Sequence, residues 1–173
     1  MSRRLSLIGI LLIVLVCSMS TVFAAEMNKT TQYQSKLGYK LEYPADWIGI
    51  GGDKGTVVAF KPKSEPESMS NANIYIMAKD ASGMTLNGLE ELNLNILRKS
   101  IPEFKLIRSE SCLLSNKPGR AFSFSGKRGV NFQGLQFFTI QNNKAYIVTY
   151  TYNTKSGTYH EAAKKIIGSF TIN

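Results

Sequence analysis

Residues 121–152 read AFSFSGKRGVNFQGLQFFTIQNNKAYIVTYTY, and this stretch decides the fold class. Ala121–Ser125, Val130–Ile140 and Ala145–Tyr152 are rich in aromatic and β-branched residues, the composition of strands. Between them stand Gly126-Lys127-Arg128-Gly129 and Asn142-Asn143, residue types that tight hairpin turns require. Strands joined by such short turns pair antiparallel. Phe104–Leu114, ahead of the connection Ser115-Asn116-Lys117-Pro118-Gly119, makes a fourth strand of the same series. Inside 130–140 the apolar parity changes, with Val130 and Phe132 on one face but Leu135 and Phe137 on the other. That change predicts a β-bulge at Gly134.

Upstream, Leu37–Pro44 alternates Tyr39, Leu41 and Tyr43 with polar residues, a half-buried strand ended by proline, and Ala45-Asp46-Trp47 turns the chain. Gly49-Ile50-Gly51-Gly52-Asp53-Lys54-Gly55 has the glycine content of a phosphate loop. Such loops open a helix, however, and here the strand Thr56–Phe60 follows, so a hairpin connection is predicted instead. Asn73–Ala78 is a further strand. Asn87 with Glu90 forms a capping box, and Leu89, Leu92, Ile96 and Leu97 recur at helical spacing before Pro102 forbids continuation. Thr158 with Glu161 begins a second helix, striped by Tyr159, Ala162, Ala163, Ile166 and Ile167 and closed by Gly168. Ser169–Ile172 ends the chain as a short edge strand or docked tail. The sum is an α+β domain, a central antiparallel β-sheet with helices packed on it.

The N-terminus has a different character. Arg3 and Arg4 precede the apolar run Leu5–Val16, and Val22-Phe23-Ala24 has signal-peptidase spacing, which predicts a signal peptide over 1–24 cleaved after Ala24. A retained anchor is the lesser alternative, because the run is short for a bilayer span. Val16 before Cys17 is too large for a lipoprotein junction, so no lipid anchor is expected at Cys17. Arg3-Arg4 loosely resembles a twin-arginine signal, but the strongly apolar segment behind it suits the general secretory route. Residues 25–36 read as a flexible lead-in and 37–173 as one domain.

Export would remove Arg3 and Arg4, so the chain's 21 basic residues against 12 acidic ones would become 19 against 12, a net charge of +7. The basic residues are scattered along the chain, which describes a solvated basic surface open to peripheral contact with anionic membranes. Export argues against nucleic acid as the partner. With Cys112 the single cysteine beyond the signal, stability rests on packing rather than a disulfide.

Residues that carry chemistry are few and lack company. His160 is the single histidine, and no metal-ligand spacing surrounds it, so it is expected to face solvent. Cys112 sits in a strand context, away from any helix N-terminus that would lower its pKa. Glu90 and Glu91 are adjacent on a helix and diverge, while Asp46, Asp53 and Asp80 occupy turns. Tyr146, Val148, Tyr150 and Tyr152 share a strand face, which predicts aromatic packing under a helix. The reading is a non-enzymatic protein without metal or cofactor. Its alternative from another class is a hydrolase with two carboxylates across a cleft. Lys127 and Arg128, at a hairpin tip, are the expected partner contact.

The pattern Gly38-Tyr39-x-Leu41-x-Tyr43-Pro44-x-x-Trp47, then Val57–Phe60, a helix, a hairpin-rich sheet with Ala145–Thr151, and a last helix ending in Ser169-Phe170 resembles the PsbP superfamily, most of all its bacterial exported members. The resemblance spans nearly all of the expected mature chain. It implies an α/β/α sandwich around an antiparallel sheet and a protein that acts by binding, without chemistry of its own. Export, positive charge and the lack of catalytic residues make a membrane-associated protein the expected partner, and a monomer is the expected state. The resemblance also implies a second role, an extrinsic or assembly subunit of the photosystem II oxygen-evolving complex, and association with calcium belongs to that role alone.

Overall fold

The structure is a computed structural model and describes residues 29–51, 57–65, 72–153 and 159–173. The expected signal peptide, its cleavage point Ala24, Cys17, Asp53 and Thr158 all lie outside the described residues.

Among the described residues ten strands and two helices follow one another as β1 (Thr30–Ser35), β2 (Tyr39–Pro44), β3 (Trp47–Gly51), β4 (Val57–Pro62), β5 (Ala72–Asp80), α1 (Leu86–Ser100), β6 (Lys105–Leu114), β7 (Lys117–Arg128), β8 (Val130–Gln141), β9 (Lys144–Asn153), α2 (His160–Ser169) and β10 (Thr171–Ile172). Seven strands form one antiparallel sheet in the order β3-β4-β5-β9-β8-β7-β6. A smaller antiparallel sheet, β1-β2-β10, carries the two ends of the domain. The α+β antiparallel expectation therefore holds, but the arrangement is dominated by sheet and is not a helix-covered sandwich. One face of the large sheet is covered by α1, whereas the other is covered by the small sheet together with α2.

This double cover explains β9. Ala145 and Ile147 belong to the core under α1, with Leu89, Phe122, Phe124 and Phe138. Tyr146, Val148 and Tyr150 belong to the opposite core, with Tyr39, Leu41, Trp47, Phe60, Ile166 and Phe170. It also explains the parity change in β8, where no bulge exists at Gly134. The ladder runs unbroken there, with Gly134 opposite Phe124 on one side and Thr151 on the other. Phe132 packs towards α1 while Leu135 and Phe137 pack towards the second core, so both parities are apolar because both faces are buried. The register does slip elsewhere, at Ile107 of the edge strand β6.

Other expectations need correction. Residues 30–35 are not a loose lead-in: β1 pairs along its whole length with β2, and the Tyr33 ring meets Phe60 edge-on at 5.4 Å. A single inward aromatic in a polar hexamer is enough once a partner strand is present. Trp47 starts β3 rather than turning the chain, and Gly49–Gly51 lie in that strand. The hairpin reading of this segment agrees with the antiparallel β3–β4 pair. Pro118 and Gly119 lie within β7, because the turn itself needs only Ser115 and Asn116, both at positive φ like Asn142 and Asn143 in the next hairpin.

The first helix is capped by Thr85, whose hydroxyl accepts from the Gly88 N–H at 3.1 Å, while Asn87 and Glu90 are drawn into contacts with β7. Its buried residues are Leu89 and Asn93, and Leu92 and Ile96 stand exposed. Gly168 is interior to α2, which ends at Ser169. The Ser169 hydroxyl accepts from the Glu42 N–H at 2.8 Å and ties that end to β2.

Candidate functional site

His160 opens α2 and does not face solvent freely. Its Nδ1 lies 3.1 Å from the Tyr150 hydroxyl, and its ring stands perpendicular to that of Tyr152 at 4.4 Å. Tyr152 in turn donates to Gln133 Oε1 at 2.6 Å. The chain His160–Tyr150–Tyr152–Gln133 pins the start of α2 to β9 and β8. Burial pushes the Tyr150 phenol up to about 12, with the neighbouring Tyr152 adding to the effect. The alternating tyrosines are thus packing residues under α2 and the small sheet, as the strand pattern predicted. The polar link to His160 had no sequence signal, since it joins residues of two elements.

Cys112 is partly buried in β6, and desolvation first, then the Glu110 charge, raises its thiol pKa. That is the reverse of what activates a nucleophile. Glu90 is engaged by Arg120 at 3.1 Å and by the Ser109 hydroxyl at 2.7 Å, and Arg120 also donates to Ser111 at 2.9 Å and Asn87 at 3.3 Å. This network clamps α1 to β6 and β7. Asp80 holds Ser82 in a turn, at 2.8 Å between side chains. Among the described residues no three His, Cys, Asp or Glu side chains come close enough to hold a metal ion.

The structure does gather several polar groups at the β7–β8 hairpin. A shallow cleft of about 210 Å³ is lined by Glu103, Lys105, Ser125, Gly126, Asn131, Phe132 and Gln133. The chain can fold this tightly because Gly126 has no side chain: a Cβ there would meet the Ile101 side chain at 2.2 Å. Lys127 and Arg128 form the adjoining rim. The Lys127 ammonium lies 3.3 Å from the Glu103 carboxylate, and its backbone N–H donates to the Pro102 carbonyl at 3.0 Å. The Arg128 guanidinium lies over the Phe132 ring at 5.8 Å. Both basic residues are exposed but have neighbours that orient them, so the rim is a positioned polar surface. Among the described residues lining the cleft Glu103 is the single carboxylate, so no second described acid faces it there.

No family model matches the chain, and no curated protein is significantly similar to it in sequence. Solved structures are informative. The solution structure of cyanobacterial PsbP from Synechocystis sp. PCC 6803 superposes with a TM-score of 0.61 over 83% of this chain and 92% of its own, at 19% identity. The fold is PsbP-like. The same PsbP-like fold is found in LpqN of Mycobacterium tuberculosis, a protein involved in cell envelope biogenesis, with a TM-score of 0.62 and 12% identity over 84% of this chain and 92% of its own. It also matches the Ran-binding protein Mog1p of Saccharomyces cerevisiae, with a TM-score of 0.58 and 5% identity over 83% of this chain and 95% of its own. At these identities the likeness concerns architecture. Among the described residues no helix is long and apolar enough to cross a membrane.

Proposed function

We propose that this chain is an exported, non-catalytic PsbP-like binding or assembly protein that acts on a membrane-associated partner. The observation that carries the proposal is the PsbP-like fold itself, which is shared with cyanobacterial PsbP, with a protein involved in cell envelope biogenesis and with a Ran-binding protein. The N-terminal pattern over 1–24 supports export, and the basic surface supports an anionic or membrane-bound target. The commitment of His160 and Glu90 to internal contacts is in keeping with action by docking.

A second reading is an extrinsic subunit or assembly factor of photosystem II, favoured by the likeness to cyanobacterial PsbP. The two separate in one experiment. Protein purified as its host processes it is used to capture binding partners from that host's membranes, at low and moderate salt, with mass spectrometry of what is retained. Recovery of one set of membrane-associated proteins, reduced by Lys127→Glu with Arg128→Glu, supports binding through the hairpin rim. Photosystem subunits in that set favour the second reading. Failure to enrich any membrane protein over a charge-scrambled control sinks both.

A further inference from the structure

We propose that the α1-side face of β3-β4-β5 is a docking groove for one amphipathic helix of a partner protein, a helix with an apolar stripe flanked by acidic residues. The proposal rests on the reading of the chain as a binding protein and names the surface and the chemistry.

The groove follows from register. Ile48 lies opposite Lys61, Ile50 opposite Ala59, Val57 opposite Met77, Ala59 opposite Tyr75, and Tyr75 opposite Thr149. Paired residues share a face, so Ile48, Ile50, Val57, Ala59, Tyr75 and Met77 form one strip. Their alternating neighbours Trp47, Val58, Phe60, Ile74 and Ile76 are buried in the opposite core. Met77 packs against the core under α1, and the rest of the strip lies outside that core. Glu90 and Asn87 hold the helix over β6 and β7, and the helical period then places Leu92 and Ile96 on its other flank, towards β5. Ile48, Val57, Tyr75, Leu92 and Ile96 are each 37–45% exposed. An apolar floor thus meets an apolar wall.

Width and charge decide the occupant. Three strands at about 4.8 Å spacing leave a strip roughly 14 Å wide, which takes one helix of about 10–12 Å diameter lying beside α1. The five paired residues of β3 make the three-strand strip roughly 17 Å long, the length of about 11 helical residues. A floor flanked along one side by α1 suits a helix better than a bilayer surface. The same face carries Lys61 and Lys79 near its two ends, and Lys99 follows on the Leu92 flank of α1. Lys61 is oriented by the Glu65 carbonyl at 3.0 Å. A helix of the proposed kind satisfies both the apolar stripe and the lysines.

The test uses isotope-labelled protein purified as its host processes it. The probes are two synthetic 18-residue amphipathic helices with the same leucine stripe, one flanked by glutamates and one by lysines, and vesicles containing anionic lipid. Expected is saturable binding of the glutamate-flanked peptide, at least tenfold tighter than its lysine-flanked counterpart, with NMR shift changes centred on Ile48, Val57, Tyr75, Met77, Leu92 and Ile96. Tyr75→Glu and Ile96→Glu, both at exposed positions, should weaken it at least tenfold, and Leu113→Glu on the exposed edge strand should not. Equal binding of the two peptides, binding at another surface, preference for the vesicles, or no saturable binding overturns the groove. Capture from host membranes by the Tyr75→Glu/Ile96→Glu protein separates the two levels. Undiminished capture leaves the binding function standing and removes this surface, whereas no capture by the wild-type protein removes the function itself.

Discussion

Gly134 shows how much one side chain can decide. A Cβ placed there would lie 2.2 Å from Phe124 Cζ, and the Phe124 ring has little room to withdraw because it packs against Phe104 and Phe132. Gly134→Ala should cost about 1–3 kcal/mol, the range of an overpacked core, read as a lower urea midpoint with an unchanged slope; a neutral result would mean that the ring moves freely. The sequence reading located Gly134 as special but assigned a bulge, because parity alone cannot tell a bulged strand from a strand buried on both faces. Tyr150 belongs to this scale as well. Burial raises its phenol from 10.0 to about 12, so the folded state keeps a proton that the unfolded chain releases. The stabilisation is complete below about pH 10 and is lost as pH rises through about 12. Urea midpoints should therefore fall across that interval, and Tyr150→Phe should make the fall shallower; an identical profile would reject the assignment.

At the level of elements, α1 is the clearest case of partial legibility. Helical spacing and Pro102 located it correctly, since both act within the segment. The packed face was misjudged because Leu92 and Ile96 are as apolar as Leu89, and only tertiary contacts, the packing of Leu86, Leu89, Leu94 and Leu97 together with the Glu90–Arg120 ion pair, set the helix so that they stand out. Asn93 takes the buried place, with its Nδ2 lacking a hydrogen-bond partner in the chain. A buried donor left unmade costs about 1–3 kcal/mol, so Asn93→Leu should raise stability by roughly 1 kcal/mol or more, measured by chemical denaturation. Destabilisation would mean that the amide is satisfied in solution. The strand β1 teaches the converse: its polar hexamer carries little intrinsic signal and becomes a strand because β2 offers it an open edge.

For the whole molecule, charge is the testable property. An excess of basic residues attracts anionic surfaces over a distance set by salt, about 10 Å at 0.1 M and about 3 Å at 1 M. Retention of the protein on its host's membranes should drop steeply between those two concentrations if the basic surface contributes, with sedimentation of membranes as the measurement. Salt-independent retention would instead point to apolar contact, such as that of the β3-β4-β5 strip.

By itself, the sequence determined what is encoded within a segment: the strand series from Phe104 to Tyr152, the two helices, the asparagine turn at 142–143, and the spaced pattern that resembles the PsbP superfamily. Tertiary structure alone decided which face each element buries, how His160 meets Tyr150, that Lys127 and Arg128 adjoin a cleft, and that α1 leaves part of the sheet bare. The reason is physical. Local propensity and periodicity act over a few neighbouring residues, whereas burial, ion pairing and groove formation depend on partners brought from far along the chain.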